Sequence, residues 1–466
     1  MIAGFVNMSI CSVVTSSTPF CARYAPQHRR AWFGPPGRIR IREAAPGKPS
    51  SKFGNSFAIW QPSLALPAPA RVAYLCQIGQ YAGMGTPLIS IVIPYKQRLD
   101  NVRMVFASLA EQTLDRARFE VVVGAIGYDH GYLRLCQEYA RHLDIATVMV
   151  ERPWNTSHAR NIALRQASGD VVVLLDADVM LPPRCLESMH RRYFADGTAR
   201  CVVGQLIGYD NFSTTEAVAA APFSRHRAVL ARLDATTGLR EDPRWRFEPV
   251  TLPWTMVWTG FVAISGDVVR RHGIYFDEDF CGWGAEDQEW GYRIAATDTP
   301  ILLGTDLCGL HLPHARDAEI NFAAFATNKA RFLAKWPRPD VELFRASDSW
   351  VANREIGALR AEVSTALDGA GQSLGVARGT ANGVDVLVVG LALDEAGEPV
   401  EDVLDPGTPR QVTPLIGLAL PYADGDLAEC RVLPRVLRLG ERFRDMVLAE
   451  AARVARRVET PSPSGS

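Results

Sequence analysis

The sequence predicts an α/β fold, a parallel sheet flanked by helices, and three observations carry that prediction. Short apolar runs recur from residue 84 onward, and they are continuous, as strands buried on both faces are. Each run is followed by a segment with apolar residues at helical spacing. Four such strand–helix alternations are the order that gives right-handed crossovers between parallel strands.

The elements follow in turn. LISIVIPY (88–95) is a buried strand ending at a proline, and residues 100–114 carry Val102, Val105, Phe106 and Leu109 at helical spacing. FEVVVGAI (119–126) is the second strand and residues 131–143 the second helix. ATVMVE (146–151) is the third strand, and 156–168 a helix with Thr156 or Ser157 at its cap. DVVVLLDAD (170–178) is the fourth strand. In such sheets ligands gather at the carboxyl ends of the strands.

Three regions are expected. Residues 1–83 carry nine prolines, nine Lys/Arg and one acidic residue, Glu43, a composition that cannot bury a core alone. They read as a disordered tail or as an over-extended reading frame, because Met84 opens MGTPLISIVIPY, a plausible start. Residues 84–345 form the main domain. Residues 346–466 contain only Trp350, Tyr422 and Phe443 as aromatics and read as a small α+β appendage. In it VDVLVVGLAL (384–393) and VTPLIGLAL (412–420) look like strands, and 426–457 looks mostly helical with a bend at Pro434.

Composition narrows the function. Residues 84–466 hold 41 basic against 50 acidic side chains, and so acidic a body is expected not to bind nucleic acid through its phosphates. No stretch approaches 18 consecutive apolar residues, so no transmembrane segment is expected. Nine cysteines without CxxC pairs read as reduced, mostly buried thiols of a cytoplasmic protein.

Asp176 and Asp178 close the fourth apolar run. Side chains at i and i+2 of a strand share a face, so the two carboxylates can work together at the sheet edge. Hard oxygen ligands there suit Mg²⁺ or Mn²⁺ bound with a substrate's phosphates. A pair of aspartates can also simply form a turn.

The surroundings weigh for chemistry. SIVIPYKQRLDNV followed by SHARNIALRQASGDVVVLLDADVMLPP resembles family 2 glycosyltransferases of the GT-A fold, with three motifs in the family's order across residues 88–185. The resemblance implies a Rossmann-like, mixed but mostly parallel sheet flanked by helices. It implies that Pro94, Tyr95 and Arg98 line a nucleotide pocket and that Arg160 approaches the donor diphosphate, as a fixed guanidinium can. It also implies that Asp176 and Asp178 bind the donor, Asp178 through the cation. The family's acidic turn after the second strand is not kept: VGAIGYDHGY offers only Asp129, displaced.

FCGWGAEDQEWGYRI (280–294) resembles the acceptor segment of β-1,4-galactosyltransferases, bacterial chondroitin-type polymerases and polypeptide N-acetylgalactosaminyltransferases, which share a W-G-x-E-D pattern opening a helix. Gly282 and Gly284 let the backbone swing and a substrate come close. Trp283 offers a face for a sugar ring. Glu286 and Asp287 fall in the first helical turn, where the helix dipole favours the ionised form, and an ionised carboxylate can accept a proton from an attacking hydroxyl. The resemblance makes Asp287 the general base and Glu286 a holder of acceptor or donor sugar. Glu289 is read as the i,i+4 partner of Arg293 on the helix surface. The same families take a cation ligand from a later histidine, here His311 ahead of His314.

These residues together predict a metal-dependent, inverting glycosyltransferase using a nucleotide-diphosphate sugar, expected to be UDP-linked, with Mn²⁺ or Mg²⁺. The acceptor is a glycan, a peptide or a small molecule. Two other readings stay open: a glycan- or nucleotide-sugar-binding protein without catalysis, and a nucleotidyltransferase. The latter would want a glycine-rich basic loop after the first strand, which PYKQRLDN lacks.

Overall fold

The computed structural model describes residues 73–78, 87–208, 214, 221–236, 238–246 and 250–461. They build two sheets. The first has nine strands: β1 (Ala73–Ile78), β2 (Ile89–Tyr95), β3 (Phe119–Ile126), β4 (Ile145–Val150), β5 (Val171–Leu175), β6 (Val179–Met180), β7 (Cys201–Ile207), β8 (Phe261–Ser265) and β9 (Ile301–His311). Their spatial order is β1-β4-β3-β2-β5-β8-β7-β9-β6. The block β4-β3-β2-β5 is parallel, with Ile89 opposite both Phe119 and Val171, so its strands end together at one edge. Antiparallel neighbours flank it, β1 on one side and β8 on the other, giving the expected mixed α/β sheet.

The parallel strands are continuous apolar runs because both faces are covered. Ile91, Ile93, Val121, Val123 and Val173 point into one core, with Val102, Val105 and Phe106 of the helix Leu99–Ala110. Val92, Val122, Val172 and Leu174 point into the other, with Ala163 and Leu164 of the helix Thr156–Leu164 and Trp290 of the helix Glu286–Ala295. Each fully buried Val, Leu or Ile contributes roughly 1.5–3 kcal/mol of transfer free energy. The helices bearing Arg160 and Asp287 therefore pack on the same side of the sheet.

The second sheet contains β10 (Ser373–Ala381), β11 (Val384–Leu393), β12 (Gln411–Thr413), β13 (Leu427–Val432) and β14 (Ala455–Glu459), ordered β12-β10-β11-β13-β14. Asn382 and Gly383, both at positive φ, turn the β10–β11 hairpin. All described residues fall in one compact unit, Phe57–Ser466.

Several expectations are corrected. Residues 73–78, inside the stretch read as unstructured, form β1 and pair with β4; the rest of 1–83 apart from these lies outside the described residues. The apolar run 412–420 is a strand only to Thr413. Beyond it the chain wraps a carboxylate: Glu342, fully buried in the helix Pro339–Ala346, accepts from the backbone N–H groups of Ile416 (2.7 Å), Gly417 (2.7 Å) and Ala419 (3.3 Å). Amides spent on a side chain are lost to a ladder. Residues 426–457 hold β13, a short turn of 3-10 helix at Pro434–Arg438 and the helix Glu441–Val454 rather than one bent helix. Among the described residues no helix is long and apolar enough to cross a membrane.

Candidate active site

The fourth strand stops one residue before the aspartates. β5 ends at Leu175, the Val179 N–H donates to the Asp176 carbonyl (3.1 Å), and a tight turn carries the chain into β6. Asp176 and Asp178 thus do not share a strand face, as the i,i+2 spacing predicted, but point to different partners. β6 pairs antiparallel with β9, Val179 opposite His311, and the Leu312 N–H donates to the Asp178 carbonyl (2.8 Å). That register is what brings Asp178 beside His311.

Asp178, His311 and His314 each offer a ligand atom, all within 4.8 Å of one another. His311 Nε2 lies 3.7 Å from Asp178 Oδ1, and His314 Nε2 lies 3.5 Å from Asp178 Oδ2. Asp178 is 1% exposed, and its Oδ1 has no hydrogen-bond partner. Burial lowers the pKa of both imidazoles, with Asp178 opposing, so both stay neutral with a lone pair to offer. One carboxylate and two neutral imidazoles fit a divalent cation, and the nitrogen donors suit Mn²⁺ better than Mg²⁺. Arg98 is hydrogen-bonded to Asp178 Oδ2.

Arg160 joins the two halves of the site. It is 4% exposed, donates through Nη2 to Asp176 Oδ1 (3.1 Å) and through Nη1 to Glu286 Oε1 (3.2 Å), and lies over the Phe276 ring. Burial works against its charge, but Asp176, Glu286 and Asp287 outweigh it and raise its pKa further. The helix bearing it is tied to the same region by Asn155, which donates to the Glu278 carbonyl (2.8 Å), and by His158, whose Nδ1 lies 2.7 Å from Glu278 Oε2. His158 is thus engaged by a carboxylate, and Asn155, Asn161 and Glu278, absent from the sequence-based set, are part of the scaffold.

Asp287 is half-buried at the start of its helix and accepts from the Gln288 N–H (2.9 Å) and the Thr259 N–H. Its pKa lies well above the usual carboxylate range: burial of the carboxyl raises it most, Glu286 adds to that, and Arg160 opposes without prevailing. The helix dipole, expected to hold it ionised, loses to desolvation.

The loop before that helix is shaped by its glycines. Gly282 and Gly284 have φ of 80° and 90°, and a Cβ on Gly284 would sit 2.7 Å from the Phe325 ring. Asn328, on the helix Ala318–Lys335, donates to the carbonyls of Gly284 (2.8 Å) and Cys281 (3.1 Å), so the loop is pinned as well as bent. Trp283 stands edge-on to Phe325 and keeps part of its surface in solvent.

Other expected residues spread out. Pro94 and Tyr95 end β2, but Tyr95 is 1% exposed, stacked on Tyr132, with its hydroxyl donating to Asp129 (2.6 Å). Asp129 also caps the next helix, accepting from Gly131 (2.8 Å) and Tyr132 (3.1 Å). Glu289 pairs with Arg293 (2.9 Å) as read, but it is fully buried rather than on the helix surface, because Trp336 and Lys335 cover it. Ser157 Oγ, Arg160 Nε, Thr259 Oγ1, Glu286 Oε2 and Gln288 Oε1 are buried without hydrogen-bond partners. Such groups each cost about 1–3 kcal/mol when left unmet, and four of them, on Ser157, Arg160, Glu286 and Gln288, fall on the two helices that carry Arg160 and Asp287.

Residues 90–239 match the family model described as glycosyl transferase family 2. A validoxylamine A glucosyltransferase of Streptomyces hygroscopicus subsp. jinggangensis (strain 5008) is 32% identical over 288 residues, covering 58% of this chain and 65% of the relative. A chondroitin synthase of Pasteurella multocida (strain Pm70) is 28% identical over 228 residues, 45% of this chain and 23% of the relative. The chain thus spans less than two thirds of the length of these curated relatives. Among solved structures, the mannosyltransferase PcManGT of Pyrobaculum calidifontis, in complex with GDP-Man and Mn²⁺, aligns with a TM-score of 0.38 and 19% identity over 62% of this chain and 77% of that one.

Proposed function

We propose that the chain moves a sugar from a nucleotide-diphosphate donor, UDP-linked, to an acceptor hydroxyl with inversion at the anomeric carbon, a reading supported by the match of residues 90–239 to the family 2 glycosyltransferase model. The observation that carries this is the Arg160 bridge: one guanidinium donates to Asp176, two residues before Asp178, and to Glu286, next to Asp287. The relative named as a validoxylamine A glucosyltransferase favours a glucosyl donor and a small hydroxylated acceptor over a growing polymer. Thiols outside any disulfide at Cys185, Cys201, Cys281, Cys308 and Cys430 suit the cytoplasm.

Asp178, His311 and His314 would hold a divalent cation, which when bound supplies Lewis-acid neutralisation of the departing diphosphate. Arg98 and Arg160 add fixed positive charge beside that diphosphate. Trp283 gives the acceptor a flat face, and Glu286 accepts from a sugar hydroxyl. Asp287 takes the acceptor's hydroxyl proton as that oxygen attacks the anomeric carbon opposite the phosphate oxygen; the new glycosidic bond forms, the anomeric carbon–phosphate oxygen bond breaks, and the nucleoside diphosphate leaves. Burial raises the proton affinity of Asp287 toward neutrality, so the carboxylate, in its ionised form, is a stronger base than a surface one.

The test is turnover of a panel of nucleotide sugars, with and without Mn²⁺, with validoxylamine A or water as acceptor. Asp287→Asn should lower kcat by about 10³-fold or more while sparing Mn²⁺-dependent UDP binding. Near-full turnover in that variant would remove Asp287 as the base, and UDP binding without turnover in the wild type would favour the non-catalytic reading.

A further inference from the structure

Phe276 meets the site through Arg160, and it is held firmly. Asn161, 2% exposed, clasps both of its backbone polar groups: the Phe276 N–H donates to Asn161 Oδ1 (2.8 Å), and Asn161 Nδ2 donates to the Phe276 carbonyl (2.9 Å). Asn161 Nδ2 also donates to Glu278 Oε1 (2.9 Å). The ring of Phe276 is stacked on Trp290 at 5.0 Å and 7°, and the Arg160 guanidinium lies over it at 5.1 Å. Trp290 is fully buried and anchored by its own indole N–H on the Ile274 carbonyl (3.2 Å). So a single aromatic ring touches the arginine that bridges the site and the helix that carries Glu286 and Asp287.

We propose that Phe276, fixed in place by Asn161, is a positioning residue for the transfer: its ring sets where the Arg160 guanidinium stands relative to Glu286 and Asp287. This rests on the glycosyltransferase reading above. An arginine has several rotatable bonds, and the Arg160 Nε makes no hydrogen bond, so its two carboxylate contacts alone leave the guanidinium plane free to tilt. A ring beneath it removes that freedom through stacking and cation–π attraction, which strengthen on desolvation. The same ring rests on Trp290, three residues after Asp287, so bridge and base keep one spacing. Small misplacements of this kind cost far more in rate than in binding. Leucine fills similar space but has no face to offer.

The experiment measures kcat and KM for Mn²⁺-dependent UDP-glucose turnover, and UDP affinity by calorimetry, in Phe276→Leu, Arg160→Lys and the double variant. The expected result is a fall in kcat of about 10–100-fold in Phe276→Leu with UDP affinity within about twofold of wild type. Because the ring acts through Arg160, adding Phe276→Leu to Arg160→Lys should lower kcat by less than about twofold further. Multiplying effects, or UDP affinity falling in step with kcat, would show a general packing role and overturn the proposal. Should Phe276→Leu fail to fold, Asn161→Ala enters the same cycle with the same expected non-additivity. A wild type that binds UDP and turns over while Phe276→Leu matches its kcat sinks this inference alone. A wild type that neither binds nor turns over removes the underlying reading and this inference with it.

Discussion

Asp176 and Glu286 accept hydrogen bonds from one guanidinium, that of Arg160, at 3.1 and 3.2 Å. One lies at the turn after a parallel strand and the other opens a helix far along the chain. A planar fork with donors on separate nitrogens can serve both at once, and nothing else in the repertoire of side chains does so while staying charged when buried.

Arg160→Lys should therefore not behave as a conservative change. An ammonium is a point donor that reaches one carboxylate and leaves the other buried without its partner. We expect kcat/KM to fall by about 10–100-fold, corresponding to roughly 1.4–2.8 kcal/mol of transition-state stabilisation. Steady-state kinetics with the preferred nucleotide sugar would check this.

His314 is expected to matter as much as His311. Alanine at either should weaken Mn²⁺ binding by at least about tenfold, and at Asp178 by more, since a ligand is removed rather than a supporting residue. Burial lowers the pKa of both imidazoles. They therefore stay neutral below the ordinary histidine value of about 6.5, and metal affinity should persist at pH 6 and fall only under more acidic conditions. Mn²⁺ titrations followed by electron paramagnetic resonance across pH 4.5–7.5 would show this, the range being chosen to bracket that value, about 6.5.

Gly284→Ala should damage the acceptor loop. The residue has φ of 90°, and the new Cβ would meet the Phe325 ring at 2.7 Å. A penalty on the order of 2 kcal/mol follows from strain and overlap together, read as a lower Tm and a higher acceptor KM.

Glu342 links stability to pH. Burial raises its pKa from 4.5 to about 7, against the backbone donors that favour its charge. The folded state thus holds a proton that the unfolded chain has released, and the associated stabilisation, roughly 3 kcal/mol at most, is present below about pH 4.5 and lost as pH rises to about 7. Glu342→Gln should flatten this term, so the Tm difference between wild type and variant should change across pH 4.5–7 and level off above it. Calorimetric scans at several pH values would reveal the slope.

Much of this was legible in the sequence where pattern and burial agree. Val121, Val122 and Val123 form a continuous run because adjacent residues feed two cores, and the 119–126 strand was read to its ends. What escaped depended on partners distant in sequence. The spacing of Asp176 and Asp178 predicts one strand face because the turn after Leu175 has no glycine or proline to signal it. The 414–420 segment resembled a strand because nothing in its composition reveals that a carboxylate from residue 342 will take its amides. Asn161 stands in the quoted SHARNIAL stretch, but its role is not legible there, since its value lies in two backbone groups at Phe276.

The two-residue strand Val179–Met180 matters beyond its size. Because Val179 faces His311 across an antiparallel ladder, a slip by one residue would turn the imidazole to the far side of the sheet. The connecting loops between Met180 and Ile301, though not β7, β8 or the Glu286–Ala295 helix, could thus change length, and the approach of His311 to Asp178 would survive any change that left this small zipper aligned.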